Sequence, residues 1–134
     1  LAIRIAAHVL VHHMEVVAAR VGGIQKAHAA RLACQTLGGD LATFPPGLDV
    51  KAVFDTYNLP DSWVGWHCTK SNPNACNGPA NQSSWNWIDA TPGVNPPWDP
   101  ADPNGGGRCG FVRREPFAMV ERSCDEARAY ICEF

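Results

Sequence analysis

Trp63-Val64-Gly65-Trp66, followed by Trp85-Asn86-Trp87-Ile88-Asp89, decides the fold of this chain. The first run is apolar throughout, too short for a buried helix, and preceded by turn residues at 58–60, so it reads as a buried strand. In the second, Trp85 and Trp87 stand at strand spacing and share one face. A polar loop, residues 67–84, separates the two runs and carries Cys68 and Cys76. Beyond them, residues 91–107 are rich in Pro and Gly, too long and too punctuated for a helix. Short strands are expected at 108–113, 117–121 and 129–134.

Upstream, the period changes. Ile24, Ala27, Ala30, Cys34 and Leu37 share one helical face, and Gly38-Gly39 ends that helix with the residue a left-handed cap wants. Val50, Val53, Phe54 and Tyr57 mark a second short helix that ends at 58–60. Residues 3–11 alternate, with Ile3, Ile5, Ala7, Val9 and Val11 on one side, and read as a strand. Residues 15–21 make a second β-prone stretch, which Gly22-Gly23 is expected to break. Strands, two helices, then strands around a long loop give an α+β chain with one domain.

The composition narrows the function. With 18% charged residues and a net charge of −2, the chain lacks the basic surface a nucleic-acid binder relies on. It also lacks a polybasic patch for anionic lipid, and no apolar run approaches the ~18 residues of a membrane span. Six cysteines, with no Cys-x-x-Cys pair and no zinc-finger spacing, read as three disulfides made in an oxidising compartment. The chain begins at Leu1 and is read as processed or as a piece of a longer protein. Asn81-Gln82-Ser83 is an acceptor triplet for N-glycosylation. The expected location is secreted or extracellular.

In order along residues 15–134, the landmarks resemble those of the C-type lectin-like domain. Cys34 followed by Gly38-Gly39-Asp40-Leu41-Ala42 is similar to the family's first-helix Cys, Gly-Gly and Leu-Ala. Trp63-Val64-Gly65-Trp66 resembles its central Trp-Ile-Gly-Leu strand, and Trp85-Asn86-Trp87-Ile88-Asp89 its Trp-x-Trp-x-Asp segment. Trp98, Asp102-Pro103-Asn104 and Cys109-Gly110 resemble the long-loop Trp, the Glu-Pro-Asn triplet and the next cysteine. Cys124 and Tyr130-Ile131-Cys132-Glu133 complete the series.

The resemblance implies a fold of two helices packed on small antiparallel sheets with a long ordered loop. It also implies a pairing of the cysteines that spacing leaves open: Cys34–Cys132, Cys109–Cys124 and, by remainder, Cys68–Cys76. In sugar-binding members, calcium sits in the long loop and the sugar's hydroxyls complete its shell. Carried over position by position, Asp102, Asn104 and Glu121 remain as oxygen donors, and Pro103 can supply a cis turn. Gly107-Arg108 stand where an acid is expected before Cys109, and Met119-Val120-Glu121 replace Trp-Asn-Asp. Val120 has no donor, and Arg108 brings positive charge. Calcium is therefore not the expected cofactor, and Asp102-Pro103-Asn104 reads first as a tight turn.

Trp98, Asp99, Asp102, Asn104 and Glu121 are the candidate ligand contacts, with Trp98 free to stack on a sugar or a protein. Trp63, Trp66, Trp85 and Trp87 read as core. His8, His12 and His13 alternate along a strand and so do not share a metal site. His67 reads as a loop histidine, and Arg113, Arg114 and Arg122 as part of a solvated mixed face. No nucleophile–base pair or phosphate loop stands out, so no enzyme is expected. Residues 1–14 form an extension before the 15–134 domain, expected to add a strand to its own sheet or to a neighbour's. Two functions follow. One is a recognition module that binds a glycan or extracellular protein through residues 91–122. The other is a glycosylated structural subunit that self-associates, as a homo-oligomer or filament, through its first strand.

Overall fold

The computed structural model describes residues 3–5, 9–11, 14–16, 19–44, 49–78, 81, 84–88, 98–104 and 107–133, with side chains from residue 25 onward. The elements run β1 (Ile3–Ile5), β2 (Val9–Val11), β3 (Met14–Val16), β4 (Ala19–Gln25), α1 (Ala27–Thr36), β5 (Asp40–Leu41) and α2 (Val50–Thr56). Then come β6 (Ser62–Cys68), a 3-10 turn at Pro73–Cys76, β7 (Trp85–Trp87), β8 (Cys109–Arg113), β9 (Ala118–Arg122) and β10 (Arg128–Glu133). The principal sheet has the order β1-β4-β10-β6-β8-β9, with β5 on β10 and β7 on β6. It is α+β, but mixed rather than antiparallel, because β10 and β6 pair in parallel.

Gly22-Gly23 do not break the strand. β4 runs through them on the β10 side alone: β1 pairs only with residues 19–21, Gly22 lies opposite Tyr130, and the β10 register shifts between there and Gln25. Pairing with β10 overrides the weak strand propensity of glycine, and the ladder's irregularity falls where the glycines stand. The same pairing delays α1: Gln25 is opposite Arg128, so the helix begins at Ala27 rather than Ile24. Lys26 gives it no side-chain cap, and Ala27 N–H instead donates to Cys124 O at 3.0 Å. At the other end Gly38 takes φ +90° and Gly39 N–H donates to Cys34 O. An L side chain would be strained there. α2 is capped by Asp49, whose carboxylate accepts from Ala52 N–H at 3.0 Å.

The alternating stretch 3–11 contains two short strands with different partners: β1 lies antiparallel on β4, whereas β2 pairs with β3 in a separate two-stranded sheet. His8, His12 and His13 lie outside the described residues, as do Asp89 and the 91–97 part of the long loop. Strand β6 also runs further than its apolar core, so His67 and Cys68 belong to the strand and not to the loop.

Trp63, Trp66, Trp85 and Trp87 are all buried. Alternation along β6 sends Val64, Trp66 and Cys68 into one core cluster with Phe54 and Trp87, and Trp63 into the other with Phe111 and Tyr130. Burial of one such aromatic contributes roughly 1.5–3 kcal/mol. Trp63 also donates its indole N–H to Gln25 O and Glu126 O. Gly65 lets the Ile88 side chain cross close above the strand: a Cβ there would stand 2.8 Å from it, and Ile88 would have to shift. Three disulfides tie the elements: Cys34–Cys132 joins α1 to β10, Cys109–Cys124 joins β8 to the turn after β9, and Cys68–Cys76 joins β6 to the 3-10 turn.

Candidate functional site

The long-loop site is built on β9. Its hydrogen-bonded neighbour β8 places Gly110 opposite Glu121 and Cys109 opposite Arg122. On the far side the returning loop is stitched down: Trp98 bridges Met119, and Asp99 N–H donates to Met119 O at 2.9 Å. Asp102 N–H then donates to Asp99 O at 2.8 Å, and the Asp102–Pro103 peptide is cis. Pro103 O accepts from Gly78 N–H at 2.7 Å, fixing the loop to the end of the Cys68–Cys76 clip.

Asp102, Asn104 and Glu121 converge here, but the two carboxylates face inward. Glu121 is fully buried, and its Oε1 accepts from the Asn104 backbone N–H at 2.7 Å. Asp102 is 6% exposed, and its Oδ1 has no hydrogen-bond partner among the described residues. Burial pushes the Asp102 carboxyl above its ordinary value of 3.8, with the neighbouring Asp99 and Glu121 charges acting in the same direction. Of the five candidate contacts, only Asn104 is exposed; Trp98 and Asp99 are half-buried.

Asp99 is already engaged. Its Oδ2 meets Arg113 Nη2 at 2.6 Å and its Oδ1 accepts from Ala101 N–H, and these bonds hold its carboxyl below the ordinary range. Trp98 is turned into the core rather than set out as a stacking surface. Its ring lies edge-on to Trp85 with centroids 5.1 Å apart, and 6.4 Å from Trp66.

These residues do not fit a calcium shell. That ion takes about six to eight oxygens. Here Glu121 already spends one oxygen on a backbone amide, and Val120 is buried and apolar. A side chain at 107 is sterically barred, because a Cβ would lie 2.1 Å from Arg122 O. Arg108 does not reach toward the triplet. It crosses to the clip and donates to Ser71 O.

The basic residues also find partners. Arg114 meets Asp55 and Asn58, and its N–H donates to Asp61. Arg122 lies over the Phe111 ring. A solvated mixed face describes Arg114; it does not describe Arg113, which pins the loop through Asp99. Asn81, half-buried, donates its side-chain amide to Asn77 O at 2.6 Å. No helix among the described residues is long and apolar enough to cross a membrane.

A second concavity was not legible in the sequence. It is a cleft of about 230 Å³ between α1 and strands β6 and β8, bordered by His28, Arg31, His67 and Arg108. His67 and Arg108 each precede a disulfide cysteine, and β8 brings the two positions together by pairing Cys109 with His67. No periodicity or spacing in the sequence announces that meeting.

Comparison with known proteins places this geometry. The family model described as Lectin C-type domain matches residues 25–134. The cow C-type carbohydrate-recognition domain of CD23, crystallised in the presence of a GlcNAc2Man3 oligosaccharide, superposes with a TM-score of 0.70 at 20% identity over 93% of this chain and 92% of that one. The C-type lectin domain of murine dendritic cell inhibitory receptor 2, in complex with N-glycan, gives 0.66 at 17% over 87% and 90%. A calcium-independent type II antifreeze protein gives 0.64 at 18% over 87% and 85%.

Proposed function

This chain belongs to the lectin C-type domain family, and from that premise we propose that it is a secreted recognition module that takes a glycan or an extracellular protein at the long loop without calcium. The domain is a non-catalytic binding module with a carbohydrate-recognition-like fold. The ligand class is supported by the two neighbours crystallised with an oligosaccharide and an N-glycan. Calcium independence rests on one observation: buried Glu121 gives its Oε1 to the Asn104 amide, so a protein hydrogen bond does the work of ordering the loop. The antifreeze neighbour's description is consistent with this fold doing without the ion.

Asn104, exposed at the turn, is the leading contact, with Asp99 beside it; Asp102, Glu121 and Trp98 act by holding the turn. The experiment is binding to a glycan array with calcium or with a chelator. Equal binding in both, lost on Asn104→Ala, is expected. A micromolar calcium dissociation constant that disappears on Asp102→Ala or Asn104→Ala would instead establish a rebuilt metal site.

A second, structural reading rests on β1, the outermost strand of the sheet order. An edge strand offers unpaired N–H and C=O groups to another chain. On this reading residues 1–14 are an extension to a 15–134 domain, through which copies associate, and Asn81 carries a glycan. Light scattering on chains with and without residues 1–14 decides it: association lost on deletion supports it, and a monomer in both cases removes it. Peptide mapping of material from the natural source tests Asn81, and an unmodified residue would count against the glycan.

A further inference from the structure

The cleft between α1 and the β6–β8 pair has a consistent electrical character. Arg31 and His28 reach it from α1, His67 from β6, and Arg108 from the residue before β8. Among the described residues, no Asp or Glu lines it. Asp40 of β5 takes the Arg31 guanidinium in a two-point contact at 3.0 and 3.2 Å. Arg108 uses a single Nη on Ser71 O. In a chain of net charge −2, this wall is locally cationic.

His67 adds a second mark. Its Nδ1 is buried and has no hydrogen-bond partner among the described residues. An unmet buried polar group of this kind needs a partner or an explanation. The backbone at His67 and Arg108 is anchored, since Cys68 and Cys109 beside them are in the two disulfides that flank the cleft. Anchored positions lower the cost of ordering the site on binding.

We propose that this cleft is a second binding site, separate from the Asp102-Pro103-Asn104 turn, for the oxyanion of an acidic saccharide, a sulfate ester or a carboxylate. Arg108 supplies charge-assisted hydrogen bonds, Arg31 and His28 supply field, and His67 supplies a further donor once protonated. At about 230 Å³ the cleft is smaller than the ~300–1,000 Å³ of drug-sized pockets. It suits one charged group and the sugar that bears it. Trp66 and Ile88 in the wall offer an apolar surface for the carrier ring. The saccharide assignment rests on the lectin reading above; the anion site rests on the cleft alone.

Affinity should depend on pH. Burial, then the charges of Arg31 and His28, hold the His67 imidazole below its ordinary value. A bound anion supplies the missing counter-charge and draws a proton onto the ring, so binding tightens as pH falls toward and below the ordinary histidine value of 6.5. His28 faces the same cleft from α1. The other charged groups facing it are the guanidiniums of Arg31 and Arg108, with Asp40 paired to Arg31.

The test is titration of the whole chain, by nuclear magnetic resonance and calorimetry, with inorganic sulfate, N-acetylglucosamine 6-sulfate, N-acetylneuraminic acid and neutral N-acetylglucosamine. Sodium chloride is used to match ionic strength. Saturable shifts at the His67 ring and the Trp66 indole with sulfate are expected, with tighter binding of one acidic sugar, which names the source. Arg108→Gln should weaken binding about tenfold, the loss of a hydrogen bond to a charged group. Arg108→Lys should recover part of it, and His67→Gln should flatten the pH dependence. Equal shifts with chloride, or sulfate binding untouched by Arg108→Gln, overturn the site. Sulfate binding that gains nothing from either acidic sugar overturns the saccharide assignment and leaves the long-loop reading to its own test.

Discussion

Replacing Gly107 by alanine tests the long-loop architecture at its tightest point. The added Cβ would stand 2.1 Å from Arg122 O, 2.4 Å from Arg122 C and 2.5 Å from Ser123 Cα. All three are backbone atoms, so no side chain can rotate away. Relief needs a shift of more than ~1 Å toward ordinary contact distance. Cys109–Cys124 and the Cys109 to Arg122 pairing resist that shift from both sides. Overpacking of this kind costs about 1–3 kcal/mol, and the rigid surroundings place this case at the upper end, ~3 kcal/mol. For 134 residues an unfolding entropy near ~280 cal/mol/K converts that to a fall in Tm of ~10 °C. Differential scanning calorimetry on Gly107→Ala and Gly107→Glu reads it directly, with Arg108→Glu as the neighbouring control, expected to change Tm far less. A Gly107→Glu protein as stable as the parent, and newly able to bind calcium, would refute the claim that this backbone excludes an acid at 107.

Other outcomes can be stated more briefly. Removing Cys34–Cys132, which spans 98 residues, should cost ~4.7 kcal/mol by chain entropy; removing Cys68–Cys76, which spans 8, should cost ~2.5 kcal/mol. Equal losses in denaturant titrations would contradict that ordering. Asp102→Asn should stabilise the fold at neutral pH: the folded carboxyl titrates above 3.8, so folding takes up a proton and stability falls as pH rises through that window. Thermal scans should show the advantage of the Asn variant shrinking as pH drops and gone only below about 3, where the carboxyl is neutral in both the folded and the unfolded chain. Asp99→Ala should free Arg113 and loosen the loop without unfolding the domain, visible as faster hydrogen exchange at residues 98–104.

Much of this architecture was legible because it depends on local chemistry. The two helices, the Trp strands and the closing strands follow from periodicity and punctuation. The family landmarks then supplied an order that short strands alone never give. What escaped was decided by partners distant in sequence. Gly22-Gly23 looked like a break because glycine is a poor strand residue, and only the ladder to β10 carries β4 past it. His67 looked like a loop residue because the apolar run ends at Trp66, yet pairing with Asn86 carries β6 onward. At the site, Asp102, Asn104 and Glu121 were visible as a remnant triplet. The direction Glu121 takes was not, since a buried carboxylate that orders a loop and one that holds a metal look alike in sequence.

The antiparallel ladder between β4 and β10 puts Ala19 opposite Glu133, so the start of β4 and the end of β10 lie side by side. A pull on these two points loads the hydrogen bonds one after another, as in a zip, and not all at once in shear. On the β10 side the opening halts immediately, because Cys132 is bonded to Cys34. On the other side β4 and α1 can pay out only from residue 19 to residue 34, a tether of about 50 Å when extended. Everything between Cys34 and Cys132 stays behind that covalent knot and carries no load. Under tension the module lengthens by a short, fixed amount and then stops, with both candidate binding surfaces intact except for the α1 wall of the cleft.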